Sequence, residues 1–325
     1  MHNLTPAIGI ALLTTAGSVI AAAPAAPQYP TKPIRVIAAF PAGGGVDIVA
    51  RALSERLSAR LGQSVVVDNR PGAGTTIGTE LAVKSAPDGY TLLVGPIGAA
   101  LIAQIYYRKD FDMRRDLVFI SKIGYGTIVL AVSPGLGVTS VKELIALAKT
   151  KPGQLTFASS GNGSNIHLTG EMFKQRAGLD IVHVPYKGSA LMLPDLIEGR
   201  VSMALDSMPA HLPHIKSGRL RALAVASLKR TPQLPDVPTM IEAGMPGFQS
   251  NTDYALFAPA NTPKEIVARL NLETIAVLDM ADLKARLATI GIEVSGSTPE
   301  IMRAEVFADF DKWAKVLKDG NIKHE

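Results

Sequence analysis

Two glycine-bearing segments hold the residue types best placed to do chemistry. The first reads Phe40-Pro41-Ala42-Gly43-Gly44-Gly45-Val46-Asp47, where a β-branched run gives way to a helical pattern. Consecutive glycines let the chain turn sharply and bring N–H groups at a helix start against an anion. Two nucleotide chemistries do not fit. A dinucleotide fingerprint needs glycine three residues after Gly45, where Ile48 stands, and a P-loop needs a Gly-Lys-Ser/Thr that does not follow. Asp47, in the first helical turn, would repel a pyrophosphate, whereas a small carboxylate held partly through water is compatible with it. The same residues also suit a plain strand-to-helix turn in which Asp47 supports the helix dipole.

The second segment, Ser159-Ser160-Gly161-Asn162-Gly163-Ser164-Asn165-Ile166-His167, has the same strand-to-helix character. Gly161 and Gly163 free the backbone, and Ser164 or Asn165 can cap the helix. Two helix starts facing one cleft would clamp an anion from both sides; the alternative is an ordinary N-cap. Ser164 and His167 stand at i, i+3, yet the segment lacks the Gly-x-Ser-x-Gly elbow of a hydrolase. His183, His211 and His214 show no metal spacing with an acidic partner. A third cluster, Val184-Pro185-Tyr186-Lys187-Gly188-Ser189, follows a strand and precedes a helix. Tyr186 could wall a pocket, Gly188 and Ser189 could add N–H donors, and Lys187 is either a counter-ion or a solvated surface residue. Asp206 ends a strand, and ligands of open α/β sheets bind outside the carboxyl ends of strands.

The elements that must position these loops alternate. Short strands are expected at Ile34–Phe40, Ser64–Asp68 and Tyr90–Gly95, with helices at Val46–Leu61 and Thr75–Ser85. The pattern restarts with strands at Thr127–Val132, Leu155–Ser159, Ile181–Val184, Ser202–Asp206 and Leu220–Ala226, and helices at Val141–Thr150, Asn165–Ala177 and Leu191–Glu198. Such alternation predicts an α/β fold of repeated β-α-β units and largely parallel sheet. A strand at Ala255–Pro259 and three helices (Lys264–Leu278, Ala281–Ile290, Pro299–Leu317) finish the chain. Too short of strands to form a third domain, this tail is expected to pack on the first unit. The chain must then cross twice, near Ser121–Thr127 and Asn251–Leu256, and two crossings make a hinge between lobes. The expected division is 26–124 plus 254–325 for one lobe and 125–253 for the other.

Composition agrees with this reading. The 325 residues are 47% hydrophobic and 19% charged, enough for packed cores. With no cysteine, disulfides, thiolate metal sites and thiol nucleophiles are excluded. A net charge of +5, with scattered basic pairs, gives no nucleic-acid arm and agrees with small anionic ligands. Residues 7–23 read AIGIALLTTAGSVIAAA and end in small residues, the pattern of a secretory leader. Its departure is an n-region without Lys or Arg. The expected cut is near Ala25, because a cut after Ala23 or Ala26 would leave proline first. An exported chain without a cysteine at that site has no lipid anchor.

The ordered set PIRVIAAFPAGGGVDIVAR, DNRPGAG, APDGYTLLVG, SSGNGSNIHLTGEMF, VPYKGSALMLPDLIEGRVSMALDS, LRALAVAS, PDVPTMIEAG and LFAPANTP resembles the Bug-type extracytoplasmic solute receptors. These are the substrate-binding proteins of tripartite tricarboxylate transporters, and the resemblance runs from about Tyr29 to the C-terminus. It implies a periplasmic two-lobed (Venus-flytrap) binding-protein fold without catalysis or cofactor. It also implies a ligand among small organic carboxylates, and membrane permease subunits or a sensor as partner. A monomer is expected. The resemblance places one ligand carboxylate between the loop Ala42–Asp47 (Ala42, Gly43, Gly44, Gly45, Asp47) and the helix start Gly161–His167 (Gly161, Asn162, Gly163, Ser164, Asn165, His167). Tyr186, Lys187, Gly188, Ser189 and Asp206 are carried over as further ligand-binding positions.

Three departures from the family pattern stand out. Asp253-Tyr254-Ala255-Leu256 replaces a common Trp before an aromatic-Gly-Leu run, Asn-Pro is absent around Leu101–Ile105, and Pro194 precedes Asp195 within a helix. Asp253 is placed among the ligand-binding candidates, where it would meet a cationic or hydroxyl-bearing part of the ligand; the equal alternative is a side chain exposed to solvent. The alternative class is an exported serine hydrolase using Ser164 and His167, against which stand the missing elbow, orienting acid and oxyanion design. A nucleotide-dependent enzyme is disfavoured by both failed fingerprints and by export.

Overall fold

The computed structural model describes residues 1–2, 29–107 and 111–319; the leader's apolar stretch and its cleavage site lie outside them. The first half-sheet begins with β1 (Ile34–Ala38), α1 (Gly45–Leu61), β2 (Val65–Asn69), α2 (Thr76–Val83), β3 (Thr91–Pro96), α3 (Ile97–Tyr107) and the single turn α4 (Met113–Asp116). A 16-residue strand, β4 (Leu117–Val132), then leaves it. Next come α5 (Val141–Thr150), β5 (Thr156–Ser159), α6 (Asn165–Ala177), β6 (Val182–Pro185), α7 (Ser189–Ile197), β7 (Met203–Ser207), α8 (Met208–Lys216) and β8 (Arg221–Val225). The chain returns through β9 (Asn251–Pro259) and ends with α9 (Lys264–Leu278), α10 (Ala281–Thr289), β10 (Ile292–Val294) and α11 (Pro299–Asp319).

Strand order is β2-β1-β3-β9-β4, continuing through β4 into β7-β5-β6, with β10 and β8 also paired to β4. Residues Leu117–Thr127 of β4 pair with β9, whereas Ile128–Val132 pair with β7 and β8. One strand therefore belongs to both half-sheets. The expected largely parallel sheet is corrected here. Within each half, β1 pairs parallel with β2 and β3, and β5 with β6 and β7. Every pairing made by β4 or β9 is antiparallel. The cause is the double crossing: an outgoing and a returning strand run side by side in opposite directions, each inserted beside strands of a parallel unit.

The sequence signals missed where local chemistry masked them. Gly124 and Gly126 broke the apparent strand, yet a methyl on Gly124 would overlap the Glu293 carbonyl, so glycine lets β10 approach β4 there. In α3, Ile97, Ala100 and Leu101 pack into one core and Ile102 into another, so the helix shows no polar face. Pro209 and Pro213 hide α8, although Pro209 sits in the first turn where a missing N–H costs little.

The tail packs mainly on the first half, with Leu270, Val277, Leu283 and Leu287 in the core beneath β1 and α1. Helix α11 does more than expected. Its Trp313 is 2% exposed and packs with Ile102 of α3 and Leu168 of α6, joining elements on both sides of the crossing. Truncating this side chain removes a large buried aromatic, so Trp313→Ala is expected to cost about 3–5 kcal/mol. Urea unfolding of both forms checks this, and a loss under about 1 kcal/mol would show that α11 merely lies against the surface.

Candidate functional site

A cavity of about 830 Å³ lies at the carboxyl ends of β1, β5 and β7, between the two half-sheets. Its wall includes Phe40, Pro41, Ala42, Gly44 and Gly45 from one side and Gly161, Asn162, Asn165, Tyr186, Lys187, Gly188, Ser189 and Asp206 from the other. The two sides meet, since a methyl on Gly188 would lie 3.2 Å from Pro41 Cγ.

Helix α1 begins at this wall with Gly44 as N-cap and no side-chain cap. Its first internal bond runs from Ile48 N–H to the Gly44 carbonyl at 3.0 Å, so the N–H groups of Gly45 and Val46 precede the helical ladder. Gly43, at φ +82°, makes the reversal that aims the helix start inward. Asp47 is not on the cavity wall. Its carboxylate accepts the Gly43 N–H and the Asn69 amide, each at 3.0 Å, and pairs with Arg51 at 2.9 Å. Burial alone would raise the Asp47 carboxyl. The hydrogen bonds from Arg51, Gly43 and Asn69 together outweigh it and hold the pKa below the usual carboxylate value. Asp47 thus braces the loop from behind and its charge is already matched, which removes the repulsion expected toward an anion.

Helix α6 offers the facing start. Ser164, fully buried, caps it by accepting the His167 N–H at 3.1 Å, and the first internal bond runs from Leu168 N–H to the Ser164 carbonyl. The N–H groups of Asn165 and Ile166, both cavity-lining residues, again precede the ladder. Gly163, Ser164 and His167 do not line the cavity. Ser164 Oγ faces its own helix start, and His167 Nδ1 accepts the Gly163 N–H at 3.1 Å, so the two do not form a nucleophile–base pair. The His167 ring stacks on His183 at 4.0 Å, and His183 on Phe157 at 4.9 Å. Ser159 Oγ accepts the Gly161 N–H at 3.1 Å and lies 2.6 Å from His183 Nε2. The histidines therefore hold the Gly161–Gly163 turn from beneath. Burial, helped by His183 and Lys174, pulls His167 down to about 3, and burial with Lys174 pulls His183 down to about 4.

Tyr186 is pinned by its hydroxyl, which donates to Asp195 at 2.5 Å, and Lys187 is exposed at the rim. Asp253 is corrected: it lies off the cavity, paired with Lys122 at 3.0 Å. Side chains alternate along a strand, and Thr252 and Tyr254 of β9 line the cavity, so the residue between them points the other way. Sequence reasoning missed Tyr254, Thr252, Ser207 and the loop Pro71–Thr75, all on the wall. The loop carried a signal: Pro71-Gly72-Ala73-Gly74 follows β2 at its carboxyl end. Tyr254 is fully buried, and its Oη lies 3.1 Å from Ser207 Oγ on β7, tying the returning strand to the far half-sheet. A methyl on Gly45 would overlap that Tyr254 hydroxyl.

The family described as "Tripartite tricarboxylate transporter family receptor" matches residues 49–322. The chain belongs to this family. Protein BugT of Bordetella pertussis is 40% identical over 329 residues, covering 99% of both chains. Among solved structures, the R. palustris protein Rpa4515 with adipate is 38% identical, with a TM-score of 0.87 over 91% of this chain and 100% of that one. The periplasmic binding protein BugD is 32% identical, with a TM-score of 0.86 over 91% of this chain and 100% of the other. The tricarboxylate-transporter receptor therefore has the two-lobed α/β fold of periplasmic binding proteins, and its relatives are solute-binding receptors.

The buried histidines give this receptor an acid sensitivity with a definite sign. Their folded pKa values lie below the ordinary value near 6.5, so the unfolded chain binds more protons between about 6.5 and 4, and stability falls as pH falls through that window. Each contributes at most about 1.4 kcal/mol per pH unit. Melting temperature measured from pH 7 to pH 4 is expected to decline less steeply in His167→Phe than in the unaltered chain. Parallel declines would mean that His167 takes up its proton as readily in the folded chain as in the unfolded one.

Proposed function

We propose that this protein is a periplasmic receptor that closes its two lobes on a small organic carboxylate and delivers it to the membrane subunits of a tripartite transporter. The observation that carries the reading is the pair of helix starts, α1 and α6, whose leading N–H groups border one cavity from opposite lobes. Lys187 is the one lysine or arginine among the described wall residues, so the backbone is the main source of positive potential. Adipate, a dicarboxylate, occupies the related Rpa4515 structure. The candidate contacts are Ala42, Gly44 and Gly45 on one side and Gly161, Asn162, Asn165 and Tyr186–Ser189 on the other, with Gly43, Asp47, Gly163, Ser164 and His167 shaping the two turns. Lobe one comprises 26–124 and 254–325, lobe two 125–253, with β4 and β9 as the hinge; ligand contacts made with both lobes select the closed state.

In the same reading the chain is exported, cut near Ala25, and works as a monomer without catalysis. The Ser164 and His167 geometry supports the last point, because each is already engaged in holding its own turn. A sensor rather than a permease is the second possible recipient, favoured where binding is found without transport.

Thermal melting of the mature chain against citrate, succinate, glutamate, nicotinate, benzoate and adipate tests the reading, with ATP and simple amines as controls. A carboxylate at 100 times its Kd should stabilise by about 2.7 kcal/mol, a shift of a few degrees at this size. In Gly44→Val the shift should vanish for every acid alike while the fold survives, because a Cβ there meets only the Pro41 carbonyl at 3.6 Å and otherwise enters the cavity. Stabilisation by nucleotide instead, or normal binding in Gly44→Val, would contradict the assignment.

A further inference from the structure

Strand β4 changes neighbours within a single step. Up to Thr127 it pairs with β9, and Gly124–Gly126 also pair with β10, whereas from Ile128 on it pairs with β7 and β8. Both sides of the step are tied down. On one, Lys122 holds Asp253 of β9 at 3.0 Å and Glu305 of α11 at 3.2 Å. On the other, the Ala226 N–H donates to the Ile128 carbonyl at 2.8 Å, and the Ser250 N–H to the Ala226 carbonyl at 3.0 Å. Bending between the half-sheets is thereby confined to the few residues around Gly126 and Thr127.

One side-chain bond spans that bend on its cleft face. Tyr254 stands opposite Gly124 of β4, and Ser207 stands opposite Ile128. Their hydroxyl oxygens meet 3.1 Å apart over Gly126, where a methyl would lie 3.0 Å from Ser207 Oγ and 3.1 Å from Tyr254 Oη. Glycine leaves the two oxygens that room. Both residues belong to the cavity wall, so the bond lies on the face whose two sides draw apart as the cleft opens. At 3.1 Å it has little reach to spare, because a hydroxyl pair beyond about 3.5 Å is no longer bonded. Tyr254 is 1% exposed, too little surface to grip a solute, so its oxygen acts on the lobes rather than on the ligand.

We infer that the Tyr254–Ser207 bond is a latch on the closed receptor: it forms as the lobes meet, breaks as they part, and sets how long a captured solute is held. The inference rests on the two-lobed receptor reading above. A latch that does not touch the ligand changes only the closed fraction, so its loss weakens every ligand by one common factor. Solute enters the open form, where the bond is absent, so the change falls on release and not on capture. On opening, water replaces the partner that each hydroxyl loses, which limits the factor to about three- to tenfold.

Titration calorimetry of the mature protein with citrate, succinate, glutamate, nicotinate, benzoate and adipate tests this. Stopped-flow dissociation accompanies it, followed through Trp313, the single tryptophan of the chain, which packs against both α3 and α6. Tyr254→Phe deletes the oxygen and keeps the ring, and melting of the unliganded variant verifies that it folds. For each acid that binds the unaltered chain, Tyr254→Phe is expected to raise Kd by that common factor, with faster dissociation and unchanged association. Ser207→Ala should do the same, and the double variant should lose no more than either single one. An unchanged dissociation rate in Tyr254→Phe would overturn the latch and leave the receptor reading intact. So would losses that differ from acid to acid, or that add up in the double variant, because each hydroxyl would then act on its own. Binding of none of the six acids by the unaltered chain would remove the receptor reading, and this inference with it.

Discussion

Backbone N–H groups at a helix start need an acceptor, and the helices around this cleft leave much of that need unmet. No acidic residue stands in the first turn of α2, α6 or α7, and neither α2 nor α7 has a side-chain cap. Helices α9 and α10 also lack caps, but their first turns carry Glu265 and Asp282 and open on solvent. Helix α5, remote from the cavity, is capped by Ser140. Only α1 brings an acid to the cleft side, and Asp47 is matched by Arg51 and by the N–H of its own loop. An anion in the cavity supplies what these helix starts lack.

The rest of the molecule keeps those starts facing one another. Because β4 runs from one half-sheet into the other, with β9 returning beside it, the loops after β1 and after β5 open onto the same gap. Tyr254 fixes the junction: its hydroxyl sits beside Gly45, reaches Ser207 across the crossing, and fits under Gly126 because neither glycine has a side chain. Beneath the second loop, neutral His167 and His183 accept or share the hydrogen bonds that hold the turn. An acceptor role needs an unprotonated ring nitrogen, and burial secures it.

Much of this was legible in the sequence. The glycine-rich turns, the capping Ser164 and most strands are local signals, and local chemistry decides them. Family resemblance and the strand ends together placed Ala42–Gly45 and Gly161–Asn165 near one another. The crossing strands were harder, because Gly124 and Gly126 read as a break until β10 and Tyr254 are seen to need that space. Asp253 was misplaced for a similar reason: alternation along β9 puts Thr252 and Tyr254 inside, and the register is set by pairing with β4 rather than by the residues themselves. The role of Asp47 as a brace depended on Asn69 and Arg51, which fold against it from β2 and the next helical turn.

The central claim is that one carboxylate is held by N–H groups from both lobes. Amide NMR of the ¹⁵N-labelled mature protein, titrated with an acid that stabilises it, tests this most directly. The resonances of Gly45 and Val46 and those of Asn165 and Ile166 should shift together and saturate at one ligand concentration. Saturating binding that leaves either pair unmoved would contradict the account.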